Sequence, residues 1–223
     1  MPHPSAMDRL VVHVGRLAAE RSPVLRPLPH LRDVLVELEA VEARTARSVW
    51  NMQREIRLPV VRLAAHLDAR SRSRQVEERT IYPVARARAC PLVTSFEPAM
   101  RLAPVDLPLL VADERDVVLG VAAQDDTVFA WASDDPEVAA LASAAFLEWW
   151  EGARTWQDAG LREPLPPRRF NVALGMADGL SDREIAETLG VSARTVAVEV
   201  RAVLDWLGAR NRGHGIAMLV GAA

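Results

Sequence analysis

Apart from its histidines, this 223-residue chain carries its positive charge on arginine alone: none of the 27 basic residues is lysine. That excludes Schiff-base chemistry, phosphate binding through a Walker-type lysine, and the His-x-Lys pair of phospholipase-D-type enzymes. The single cysteine, Cys90, allows neither an intramolecular disulfide framework nor a multi-cysteine zinc site, and is expected to be a small buried hydrophobe. Asp113, Asp116, Asp125 and Asp126 are the acids that could receive a phosphoryl group. They fall in turns, without the alternating strand–helix order of a receiver and without a lysine to contact the group. Trp131, Phe146, Trp149 and Trp150 could line a ligand pocket, but at helical spacing they are expected in the core. His66 is expected to pack or to face solvent. With no nucleophile–base pair, metal cluster or phosphate loop, the residues point away from an enzyme, and to no cofactor and no metal.

The elements around these residues suggest an α+β chain. Half the residues are hydrophobic and 26% are charged, an ordinary globular balance. No apolar run approaches the roughly 18–20 residues of a membrane span, and the first residues lack a secretory pattern. A soluble, cytoplasmic protein is expected. Residues 1–29 read as an N-terminal arm with a short helix over Met7–Glu20, and 30–58 as one long amphipathic helix. Its stripe of Leu31, Leu35, Leu38, Val49, Met52 and Ile56 would pack on its own domain or form a dimer seam, which Glu42 would weaken. Residues 59–152 read as a small α/β sensor-like domain. It opens with a polar Arg/Ser-rich run over 68–79 and continues with short strands over 80–83, 99–103, 107–112, 117–122 and 128–131, the later ones joined by acidic turns as an antiparallel meander. Asp134 is the expected cap of a helix ending at Gly152. Residues 153–164 read as the interdomain linker, followed by the prolines Pro166 and Pro167.

The segment 165–223 carries the densest local signals. Asn171–Asp178 reads as helix, with Gly179 where a left-handed residue would end it. Ser181 and Glu184 have the spacing of a capping box, and Ile185, Ala186 and Leu189 form the buried face behind it. Gly190 permits a sharp turn. Ser192 caps the next helix, Ala193–Leu207, whose buried face is Val196, Val200, Val203, Leu204 and Leu207, and Gly208 closes it. Two capped helices joined by a glycine turn make a helix-turn-helix.

This segment resembles the LuxR-type DNA-binding domain. The carrying residues are Leu165, Arg168, Val172, Gly179-Leu180-Ser181, Glu184-Ile185-Ala186, Leu189-Gly190-Val191-Ser192, Arg194-Thr195-Val196 and Leu207 to Arg212. The resemblance implies an all-α four-helix domain, with a fourth helix over 214–222, that binds double-stranded DNA through helix 193–207 in the major groove. It implies a DNA-contacting set of Arg183, Ser192, Arg194, Thr195, Val198, Glu199, Arg201, Arg210 and Arg212. Four positions depart from the family pattern. Ala197 stands where a basic residue is usual, Glu199 where His, Asn or Arg is usual, Trp206 where Lys is usual, and Arg169 where an acid is usual. Seven arginines against six acids over 165–223 leave a formal charge of only +1, for a chain of −3, whereas DNA-binding domains usually carry a stronger basic footprint. Glu199 would repel phosphate, although a carboxylate can accept from cytosine N4.

Residues 30–152 resemble, through Arg79 to Pro83, Met100 to Leu102 and Phe146 to Trp150, the sensor half of TrmB-like and LuxR-fused actinobacterial regulators with a phospholipase-D-like fold. The sequence therefore predicts a transcription regulator that acts as a homodimer, with RNA polymerase and a small-molecule ligand as further candidate partners and no membrane contact. The alternative is a LuxR-like regulator that has lost DNA affinity and acts as a protein-interaction adaptor.

Overall fold

The computed structural model describes residues 5–56, 74–120 and 129–221. His66, the turn at Asp125-Asp126 and residues 68–73 of the run over 68–79 lie outside them. The N-terminal part is one eight-stranded mixed sheet with helices on both faces. In chain order its elements are α1 (Ala6–Ala19), β1 (Arg26–Leu28), α2 (Leu31–Arg44), β2 (Ser48–Met52), β3 (Glu77–Tyr82), α3 (Val84–Ala89), α4 (Val93–Phe96), β4 (Arg101–Leu102), β5 (Leu109–Ala112), β6 (Asp116–Gly120), β7 (Ala130–Ser133), α5 (Pro136–Gly152) and β8 (Arg154–Thr155). The strand order is β1-β7-β6-β5-β2-β3-β4-β8. The β5–β6–β7 meander pairs antiparallel, with Val111 opposite Val117 and Val118 opposite Ala132. The pairs β2–β3 and β3–β4 are parallel.

Alternation along the strands divides the core. Leu109, Val111, Val117 and Leu119 face α1 and α5 with Leu10, Val14, Val138, Ala142 and Phe146. The intervening Val118, Ala130 and Ala132 face Val34 and Leu38 of α2. This is the period of two expected for strands covered on both faces. Phe146 is fully buried, worth about 1.5–3 kcal/mol in transfer free energy. It stacks between Trp50 at 5.4 Å and Trp150 at 5.9 Å, so these rings fill the core. Arg101 lies 4.4 Å from the Trp150 ring centroid and donates to its backbone carbonyl. Cys90 is buried, and burial pushes its thiol up to about 11. The helix start is one residue later than expected: Asp135, rather than Asp134, accepts from the N–H groups of Glu137 and Val138.

The long helix over 30–58 is not formed. α2 stops at Arg44, where the Thr45 hydroxyl donates to the Val41 carbonyl, and the chain turns into β2 at the centre of the sheet. Val49 and Met52 are thus strand residues and not part of a helical seam. Glu42 is buried against Arg74. The proposed arm is also integral: Ala6, Leu10, Val14 and Leu17 bury α1 against α5. The linker segment begins as a strand, β8, paired with β4.

The helix-to-strand switch has a specific cause. Asp113 sits at φ 53° in the turn between β5 and β6, a left-handed conformation that Asp tolerates. Its carboxylate accepts the backbone N–H groups of Ala46 at 2.8 Å, Arg47 at 2.7 Å and Ser48 at 2.9 Å. These donors would otherwise continue a helical ladder. Burial opposes the charge on Asp113, but these three bonds, with the nearby Arg47 guanidinium, outweigh it and hold its pKa below the ordinary aspartate range. Asp116 behaves alike: burial is outweighed by bonds from Arg44 and Arg115.

Asp113→Asn keeps the turn conformation and removes the charge. It is expected to cost about 1–3 kcal/mol at neutral pH, measured by urea unfolding. A carboxylate with a depressed folded-state pKa contributes stability above its unfolded pKa, about 3.9, and loses it as pH falls through the lower folded value. The gap between native and variant should therefore close below about pH 4; a gap constant with pH would refute the assignment.

Candidate functional site

The C-terminal part contains α6 (Pro167–Ala177), α7 (Asp182–Leu189), α8 (Ala193–Leu207) and α9 (Arg212–Leu219). Local chemistry sets each boundary. The Ser181 hydroxyl accepts from the Glu184 N–H, and the Glu184 carboxylate accepts from the Ser181 N–H at 2.7 Å, which also lowers the Glu184 pKa. Gly190, at φ 64°, ends α7 and makes the turn; Gly208, at φ 70°, ends α8. The Ser192 hydroxyl accepts from the Thr195 N–H and shares a 2.8 Å hydrogen bond with the Thr195 hydroxyl. The fourth helix starts earlier than expected, at Arg212, because the Asn211 side chain caps it by accepting from the His214 N–H.

Val172, Ala173, Met176, Ile185, Ala186, Val196, Val200, Val203, Leu207 and Leu219 are the buried core of this bundle. The first two helices approach closely at Gly175, where an added Cβ would lie 2.8 Å from Ile185 Cγ1. Leu204, expected in the core, is only half-buried.

With Val196, Val200, Val203 and Leu207 turned inward, Arg194, Ala197, Val198, Arg201 and Asp205 form the outer stripe of α8 at spacings of three and four. Val198 is 64% exposed. Neither Arg194 nor Arg201 has an ion-pair partner among the described residues, and the same holds for exposed Arg210. Other expected contacts are engaged elsewhere. Arg212 donates to the Asp182 carboxylate and, at 2.6 Å, to the Leu180 carbonyl, tying α9 to the start of α7. Arg183 is exposed but pairs with Glu187 one turn along α7.

Glu199 does not face outward with Arg194 and Arg201. Its carboxylate accepts from Arg169 Nε of α6 at 2.9 Å and its side chain is only 18% exposed. The two positions where the sequence departs from the family pattern with opposite charge, Arg169 and Glu199, therefore compensate each other. Arg169 thus holds Glu199 against α6, and the paired reversal of sign at 169 and 199 is the trace of that contact in the sequence. Since Glu199 is the only acid between 193 and 204, the outer stripe carries no negative charge until Asp205.

Among the described residues no group of three His, Cys, Asp or Glu side chains could hold a metal ion, and no helix is long and apolar enough to cross a membrane. Residues 163–219 match the family model described as bacterial regulatory proteins, luxR family. No curated protein sequence matches the chain. Similar solved structures include the following two. One is TrmBL2, an archaeal chromatin protein whose structure is described as showing a novel mode of DNA binding; it is 16% identical with a TM-score of 0.46, over 67% of this chain and 61% of its own. This chain thus spans less than two thirds of that protein. The other is NucT from Helicobacter pylori, 17% identical with a TM-score of 0.49, over 59% of this chain and 96% of its own.

The pairing of Arg169 with Glu199 predicts a coupling energy of about 0.5–1 kcal/mol in a double-mutant cycle to alanine, read by denaturant unfolding without any partner present. Additive effects of the two substitutions would show that Glu199 is not held on α6.

Proposed function

Taking as premise that residues 163–219 form a domain of the luxR regulatory type, we propose that the chain is a sequence-specific DNA-binding transcription regulator, with α8 lying in the major groove. The supporting observation is the outer face of α8: two arginines without ion pairs, Arg194 and Arg201, two turns apart, with the intervening acid drawn onto Arg169. In this reading Arg194 and Thr195, at the start of the helix, meet base edges or phosphates. Exposed Val198 suits the methyl group of thymine. Arg201 and Arg210 meet phosphates. Ser192 holds the helix start through its cap. Arg183 would have to leave Glu187 to contact DNA, Arg212 braces α9, and Glu199 aims Arg169 without reading bases. A regulator working on chromosomal DNA acts in the cytoplasm.

The modest charge of the domain shapes the expectation. Each phosphate contact releases about one counterion, so few contacts give a shallow salt dependence. Purified full-length protein, screened against a randomised duplex library at low ionic strength, is expected to select a site. Arg194→Ala should weaken that binding by about 1–3 kcal/mol and relax selection at one position. Arg201→Ala should weaken binding evenly across sequences and reduce the salt slope by about 1. Failure to retain any duplex would sink the reading and favour the adaptor role.

One recognition helix per chain further suggests a homodimer reading two half-sites about 10 base pairs apart. Sedimentation should give a 2:1 complex of protein with a selected site; a 1:1 complex would exclude the dimer.

A further inference from the structure

We propose that the cleft between α3–α4 and the segment 160–162 is a binding site for a small organic anion, a carboxylate head on an apolar body. The cleft has a volume of about 340 Å³, and its lining includes Arg88, Thr94 and Arg162 with apolar Ala87, Val93 and Leu161. That volume is in the range of small-molecule sites.

Three features make it a built site. Thr94 is 1% exposed, yet its buried hydroxyl has no hydrogen-bond partner among the described residues. Buried hydroxyls are normally satisfied, because an unmet one is costly; here a ligand oxygen would supply the partner. Arg88 makes only a long 3.4 Å contact with the Ala159 carbonyl, beyond the usual hydrogen-bond range. Neither Arg88 nor Arg162 pairs with a carboxylate among the described residues. Two uncompensated guanidinium groups and a hydroxyl, bordered by an apolar wall, are the complement of an amphipathic carboxylate.

Arg162 also reaches out of the cleft. It donates to the carbonyls of Trp206 at 2.6 Å and Leu207 at 3.0 Å, the last residues of α8, and its guanidinium lies 5.5 Å from the Trp206 ring centroid. It thereby satisfies carbonyls that a helix end leaves free. A carboxylate in the cleft competes for this guanidinium, so occupancy is felt at the end of α8.

The test uses the full chain without DNA, so its outcome is independent of the DNA-binding reading. Benzoate and phenylacetate are titrated against isotope-labelled protein, with benzamide as the neutral counterpart. The carboxylates are expected to shift backbone resonances of 87–94 and 160–162 saturably, with the Trp206 indole N–H moving at the same midpoint. Benzamide should not. Arg88→Gln and Thr94→Val should each weaken binding about tenfold or more. Thr94→Val is nearly isosteric and should melt no lower than the native protein, so its loss of binding is not loss of fold. Absence of saturable shifts up to the solubility limit of both carboxylates overturns the proposal. So does equal binding of benzamide, or native affinity in both variants.

Discussion

Three backbone N–H groups at the start of β2 converge on the carboxylate of Asp113, and the sheet is organised around that convergence. Residues 45–48 link a helix on one face of the sheet to a strand at its centre. Without an acceptor there, the chain would have to bury unpaired donors or continue as helix. The carboxylate reaches them only because its own residue adopts a left-handed conformation at the tip of a hairpin more than sixty positions away. Strand β2 then serves as the template for β5 on one side and β3 on the other. Local preference in the first part of the fold is thus overruled by one long-range electrostatic contact.

That contact explains what could and could not be read from the sequence. The meander β5–β6–β7, helix α5 and the helices of the C-terminal bundle were legible because alternation, caps and glycine stops are local signals. Ser181 with Glu184, Gly190 and Gly208 behave as their spacing implied. Residues 45–56 were misread as helix because Val49 and Met52 happen to continue a three-four pattern, and nothing nearby announces Asp113. The pairing of β8 with β4 was hidden for a similar reason: two-residue strands have no period. In the candidate site, the types and positions on α8 were visible, but the direction of Glu199 was not. Its partner is thirty residues earlier, and only the helix crossing brings them together.

The Arg169–Glu199 pair changes what the low net charge of the bundle means. A formal balance near zero suggests a surface indifferent to polyanions when charges are simply counted. Here three of the acids are paired within the bundle: Glu199 on Arg169, Glu187 on Arg183 and Asp182 on Arg212. What remains exposed on the outer stripe of α8 is cationic up to its last turn. The distribution of charge over faces, not its sum, is the quantity relevant to an oriented encounter.

The bundle is not self-contained. Fully buried Leu92 belongs to the same apolar cluster as Val172 and Leu207, and Phe96 lies 6.3 Å from Phe170 between ring centroids. The Ser95 hydroxyl accepts the Leu165 N–H at 2.9 Å, a bond spanning seventy residues. An autonomous C-terminal module cut out at the proline segment would leave a hole where Leu92 fits and an exposed ring at Phe170. The shared packing couples the stability of the two halves, so that a change in α3 or α4 bears directly on the core of the second half.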